Sequence, residues 1–157
     1  MSNSTPLLTV IIPCYNEKDA VADTVHSVLS ILNKTVDSEL IVVDDGSDDG
    51  SQDILQDLAK QLPRLKVICH EENRGYGASL KTGIRRAQGE LIAITDADGT
   101  YPNDRIPDLV DKMTDADMVV GSRTGDQVQY SSIRKIPKFF LRRYCQWITG
   151  RKIPDMN

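Results

Sequence analysis

Short apolar runs alternate with stretches of helical periodicity over the first 120 residues, and this alternation limits the fold more than any other feature. Leu7–Ile12 is a β-branched run cut by Pro13, and Leu40–Val43, Leu65–Cys69, Leu91–Thr95 and Met118–Val120 are four further runs of strand length. Between them, Glu17–Leu32 carries Val21, Val25, Val28, Leu29 and Leu32 at helical spacing. Ser51–Leu62, the small-residue-rich Gly75–Ala87 and Asn103–Met113 complete the helical set, with Pro102 close to the first turn of the last one. The strands read as apolar on both faces rather than alternating. The fold class that satisfies this is α/β, a mostly parallel central sheet covered by helices on both faces.

In such a sheet, ligands gather beyond the carboxyl ends of the strands, and there polar residues accumulate. The five strand ends carry Pro13-Cys14-Tyr15-Asn16-Glu17, then DDGSDDG at 44–50, then ENRGYG at 72–77, then Asp96-Ala97-Asp98-Gly99, then Gly121-Ser122-Arg123. Asp96 and Asp98 stand two apart, so in extended chain they point to one side. Like charges so placed repel unless one is protonated or a cation lies between them. Mg2+ or Mn2+ accepts carboxylate oxygens and keeps places for substrate phosphates. A simple Asp/Gly turn is the structural alternative. Asp45 follows an apolar strand and is placed to accept from a ribose or base. Ser47, Asp48 and Asp49 read as helix caps. Arg74 and Gly75 belong to a turn that opens a helix, where backbone amides favour anions such as a diphosphate. The planar fork of Arg123 suits a phosphate or carboxylate, with a surface ion pair as the structural reading.

Charge is unevenly spread. The net charge is −4, which argues against a nucleic-acid partner, yet residues 1–125 hold 12 Lys/Arg against 21 Asp/Glu, whereas 127–154 hold seven basic residues and no acid. Two parts follow: an acidic core over 1–126 and a basic segment over 127–157. Residues 131–150 space Ile133, Ile136, Phe139, Phe140, Tyr144, Trp147 and Ile148 helically among Arg134, Lys135, Lys138, Arg142 and Arg143. A basic amphipathic helix with aromatics, started or kinked at Pro137 and ended at Gly150, suits a membrane interface, or packs its apolar side on protein. Three cysteines lack metal-like spacing, and Cys14 and Cys69 read as core thiols, which fits a reducing compartment. No stretch reaches the roughly 20 apolar residues of a membrane span, and the N-terminus lacks a signal-peptide pattern.

VIIPCYNE, ELIVVDDGSDDGS, ENRGYGASLKTGI, LIAITDADGTYP and DMVVGSR, in that order over residues 9–123, resemble glycosyltransferase family 2, inverting enzymes with a GT-A fold, and most of all its polyprenyl-phosphate sugar synthases. The resemblance implies that Pro13, Tyr15 and Glu17 form a nucleotide-contacting loop. It also implies that Asp45 contacts base or ribose, that Asp96 and Asp98 hold Mg2+ or Mn2+, and that Arg123 lies near the donor phosphates. Thr100 stands where some synthases place a ligating glutamine, which weakens that contact. Relatives continue past IPDMN with more acceptor-side residues and often membrane helices, so the expectation is a chain truncated at its C-terminus. The implied partners are a nucleotide-diphosphate sugar, a polyprenyl phosphate and, through 131–150, the inner face of the membrane from the cytoplasm.

Other readings stay open: transfer to a saccharide hydroxyl, a nucleotidyltransferase, or a non-catalytic nucleotide- or lipid-binding module. His26, in a helix, and His70, at a strand end, are not expected to be catalytic.

Overall fold

The structure is a computed structural model that describes residues 7–35, 37–121, 143–148 and 150. It divides into two compact units, Met1–Lys112 and Met113–Asn157. In the first unit the elements run β1 (Leu8–Cys14), α1 (Val21–Thr35), β2 (Ser38–Asp44), α2 (Ser51–Gln61), β3 (Leu65–Cys69), α3 (Tyr76–Arg86), β4 (Leu91–Ile94) and α4 (Ile106–Asp111). The four strands form one parallel sheet in the order β3-β2-β1-β4.

The apolar runs explain this order. Every residue of β1 and β2 is buried, so these two strands take the centre, where both faces are covered. Val10, Ile12, Leu40 and Val42 point to the face carrying α1 and α2, and meet Val21, Val25, Val28, Leu32 and Leu55 there. Each such side chain, removed from water, contributes about 1.5–3 kcal/mol. Ile11 points the other way, to α3, where a Cβ on Gly83 would stand 2.6 Å from Ile11 Cγ2. The small residues of α3 thus let a helix lie close on the sheet, and helices cover both faces as the sequence implies.

The edge strands depart from expectation. In β4, Ile92 and Ile94 are 43% and 48% exposed, and Cys69 at the end of β3 is exposed rather than a core thiol. A strand with one neighbour and an uncovered face alternates in burial even when its sequence does not. Met118–Val120 forms no strand among the described residues: Met118 and Val120 are 77% and 71% exposed and carry no ladder partner. The expected helix over 103–113 is in three pieces, α4 flanked by 3-10 turns at Asn103–Arg105 and Lys112–Asp115, with Pro107 unable to donate a helical hydrogen bond.

In the second unit, residues 143–148 are helical, and Gly150 at φ +64 donates its N–H to Gln146 O at 2.9 Å, ending that helix as expected. Tyr144, Trp147 and Ile148 are exposed, with the two aromatic ring centroids 6.3 Å apart. The rest of the amphipathic segment lies outside the described residues. Among the described residues no helix is long and apolar enough to cross a membrane.

Candidate active site

A cleft of about 330 Å3 opens at the carboxyl ends of β1, β2 and β4. Pro13, Tyr15 and Glu17 line it from the end of β1, Asp45 from the end of β2, and Asp96 and Asp98 from the end of β4. Asn73, Gly75, Tyr76 and Ser79 close it from the loop before α3 and its first turn. The parallel register explains the convergence: Cys14 pairs with Asp44 and Ile11 with Ile94, so the chain leaves the sheet at one edge at each of these points.

The turns after β1 and β2 are laced together. Asn16, at φ 56, donates its N–H to Ser47 Oγ and accepts from the Asp48 N–H, both at 3.0 Å. Ser47 in turn donates from Oγ to Asp44 Oδ1 at 2.6 Å. The Glu17 N–H reaches Ser51 Oγ at 2.9 Å and the Lys18 N–H reaches Asp49 Oδ2 at 3.0 Å. The expectation that Ser47, Asp48 or Asp49 caps α2 is not met, since the cap position carries no side-chain cap hydrogen bond. Gly50 occupies the cap position of α2, and Asp49 accepts from the Ser51 N–H at 2.9 Å and from its hydroxyl at 2.6 Å. The bond from the Ser51 hydroxyl, with the Ser51 and Lys18 amides, holds the Asp49 carboxyl below its ordinary value against the opposing effect of desolvation.

Asp45 is more heavily engaged than its sequence position suggests. Its Oδ1 lies 2.6 Å from His70 Nδ1 and accepts the Arg74 N–H at 3.1 Å, and its Oδ2 accepts the Gly75 N–H at 2.7 Å. Burial pushes this carboxyl up, but the His70 bond and the two amides outweigh it and leave the group below the usual range. A carboxylate offers about four lone pairs, and three contacts leave capacity for one more. The Gly75 amide, at the expected anion-binding helix start, is thus directed at Asp45. The side chain of Arg74 is exposed and does not line the cleft.

Asp96 and Asp98 face the same cleft. Asp96 Oδ1 accepts from the Tyr76 hydroxyl at 3.3 Å; Asp98 Oδ1 accepts from Thr100 Oγ1 at 2.8 Å and Thr100 N at 3.0 Å. Between them, Ala97 O accepts from Thr24 Oγ1 at 2.9 Å, pinning the segment to α1. Glu17 registers the crowding: its carboxyl is pushed above the ordinary range by burial and by the charges of Asp98, Asp49 and Asp96. Burial and Asp96 push the Tyr76 hydroxyl up to about 12, so it stays a donor. No group of three or more His, Cys, Asp or Glu side chains able to hold a metal is formed among the described residues. The donor set is two hard carboxylates that form no ion pair among the described residues, with Glu17 and Asp49 adding negative charge nearby. This fits a divalent cation that takes its remaining oxygens from water and a diphosphate.

Arg123 lies outside the described residues. Reading the sequence missed His70, Tyr76, Asn73 and Ser79. His70 sits at a strand end, Asn73 and Tyr76 lie within the ENRGYG turn and Ser79 follows it, so the strand-end rule already pointed at their neighbourhood.

Residues 9–155 match the family described as glycosyl transferase family 2. The chain is 39% identical over 106 residues to the putative teichuronic acid biosynthesis glycosyltransferase TuaG of Bacillus subtilis, covering 68% of this chain and 41% of that protein. It is 34% identical over 151 residues to the undecaprenyl-phosphate 4-deoxy-4-formamido-L-arabinose transferase of Photorhabdus laumondii, covering 94% of this chain and 46% of that protein. It therefore spans less than half the length of either relative. Among solved structures, the mannosyltransferase PcManGT from Pyrobaculum calidifontis, in complex with GDP-Man and Mn2+, superimposes with a TM-score of 0.58 at 31% identity, covering 72% of this chain and 34% of that one. The α/β sheet described above is the GT-A-like architecture that the resemblance implied.

Proposed function

The chain belongs to glycosyl transferase family 2, and from that premise we propose that it forms the donor-binding part of an inverting, cation-dependent glycosyltransferase whose acceptor is a polyprenyl phosphate. The observation that carries this is the convergence of Pro13, Tyr15, Glu17, Asp45, Asp96 and Asp98 on one cleft at the carboxyl edge of a parallel sheet. Residues 1–126 hold the nucleotide-diphosphate sugar; residues 127–157 begin the acceptor side.

Asp98, with Asp96, holds Mg2+ or Mn2+, which when bound offsets the charge that develops on the departing nucleoside diphosphate. Tyr76 fixes the Asp96 carboxylate and Thr100 fixes that of Asp98, so both oxygens are oriented before the donor arrives. Pro13 and Tyr15 supply the wall for the nucleoside. Asp45 offers its remaining acceptor to a base or ribose donor. Arg123 pairs with the donor phosphates. An acceptor phosphate oxygen is already anionic, so attack at the anomeric carbon needs no strong protein base, in keeping with a cleft lined by no histidine among the described residues.

The undecaprenyl-phosphate transferase among the relatives supports the lipid acceptor. The TuaG match supports a second reading, transfer to a saccharide hydroxyl. Exposed Arg143, Tyr144, Trp147 and Ile148 support contact with an anionic membrane surface at the cytoplasmic face. Incubation with UDP- or GDP-sugars, Mn2+ and undecaprenyl phosphate tests the proposal. Labelled sugar in the organic phase is expected. Label on a saccharide acceptor favours the second reading, and nucleotide binding with neither product leaves a binding module.

A further inference from the structure

The end of β3 is tied to the donor cleft through a histidine that does not line it. His70 and Asp45 side chains are 5% and 4% exposed. The imidazole joins two parts of the chain, with Nδ1 2.6 Å from Asp45 Oδ1 and Nε2 2.9 Å from Thr82 Oγ1 on α3, while the backbone N–H of His70 donates to Asp44 O at 2.8 Å. An ionised carboxylate only accepts, so Nδ1 carries the proton, and in the neutral ring Nε2 accepts from the threonine hydroxyl. Asp45 then spends its other contacts on the Arg74 and Gly75 amides, and Gly75 lines the cleft.

We propose that His70 is a positioning residue for donor binding: held on α3 by Thr82, it aims the Asp45 carboxylate so that it clamps the Arg74–Gly75 backbone into the cleft wall and leaves one acceptor facing the nucleotide. This rests on the donor-site reading given above. Without the imidazole, the Asp45 carboxylate is free to turn, and the two loop amides it accepts from are held less firmly.

Two near-isosteric variants separate the imidazole's two ends. In His70→Asn the amide nitrogen takes the place of Nδ1 and keeps the Asp45 contact; in His70→Gln it reaches the place of Nε2 and keeps only Thr82. Amide hydrogen exchange of Arg74 and Gly75, calorimetric titration with UDP and with GDP in the presence of Mn2+, and thermal melting are measured on the full chain. Expected for His70→Asn are near-native exchange at both amides and nucleotide affinity within about threefold. For His70→Gln, exchange is faster and affinity falls about tenfold, the effect of one strong buried hydrogen bond. Thr82→Val, which keeps the shape and removes the hydroxyl, gives a smaller change in the same direction should the His70 variants not fold. Native exchange at Arg74 and Gly75 in His70→Gln overturns the proposal, as does faster exchange with unchanged nucleotide affinity. Equal losses in His70→Asn and His70→Gln also overturn it, because packing alone would then explain the residue. Should the unaltered chain bind neither nucleotide, the donor-site reading fails by itself, and the exchange data still decide whether His70 holds the loop.

Discussion

Gly46 sits directly under Glu72: a Cβ at residue 46 would stand 2.6 Å from the Glu72 carbonyl carbon and 2.8 Å from the Asn73 nitrogen. Its φ is +72 as well. Both obstacles are backbone, which has nowhere to move without dragging the 72–75 loop away from Asp45. Gly46→Ala is expected to cost about 1–3 kcal/mol and to weaken nucleotide binding beyond that loss, read by denaturant melts and titration.

Asp45→Asn places an amide group among donors. Its burial and three contacts predict a cost of about 1–3 kcal/mol at neutral pH. The pH dependence has a definite sign. The folded carboxyl titrates below the ordinary aspartate range, so its stabilisation is complete above that range and is lost as pH falls through the folded value. The variant therefore shows a flatter acid limb in thermal melts between pH 7 and pH 3, and an unchanged limb would contradict the assignment.

Glu17 behaves in the opposite sense. Its carboxyl is raised by burial and by Asp98, Asp49 and Asp96, so above its folded value it costs stability. Glu17→Gln is expected to raise stability slightly in a chelator, by less than about 1 kcal/mol because solvent screens a like charge near the surface. With Mn2+ present the advantage narrows or reverses. Thermal shifts with and without the ion measure both arms.

Asp98→Asn leaves the Thr100 contact geometry available but halves the charge of the acidic pair. Loss of outer-shell support for a metal ligand typically costs 10–100-fold, so loss of the ligand itself is expected to weaken Mn2+-dependent nucleotide binding by more than about tenfold while the melt without metal stays near native. Unchanged affinity would remove the cation from the site.

Arg143→Glu combined with Trp147→Ala addresses the membrane proposal. Each basic residue near an anionic leaflet contributes about 1 kcal/mol, so partition into phosphatidylglycerol vesicles is expected to fall at least fivefold, with no change for neutral vesicles. Equal binding of both proteins to anionic vesicles assigns this face to packing instead.

The alternation of apolar runs revealed the parallel sheet because β1 and β2 are buried on both faces, which leaves a continuous signature. It misread the margins for the same reason. Leu91–Ile94 looks like a central strand, yet half its side chains face solvent, and Met118–Val120 is as apolar as Leu40–Val43 but has no partner strand among the described residues. Periodicity registers hydrophobicity, not the presence of a neighbour. The cleft residues Pro13, Tyr15, Glu17, Asp45, Asp96 and Asp98 were legible because strand ends are fixed by strand starts. The His70–Asp45–Gly75 linkage was not: it joins positions 25 and 30 residues apart through side-chain reach, which no local pattern encodes.

The lacing of Asn16 to Ser47 and of Glu17 to Ser51 separates what supports the cleft mouth from what lines it. The turns after β1 and β2 are assembled from amides, hydroxyls and carboxylates that bond to one another, while Tyr15 stands outward from them, 46% exposed. A rim side chain such as Tyr15 can therefore be exchanged without breaking the bonds that hold these two turns together.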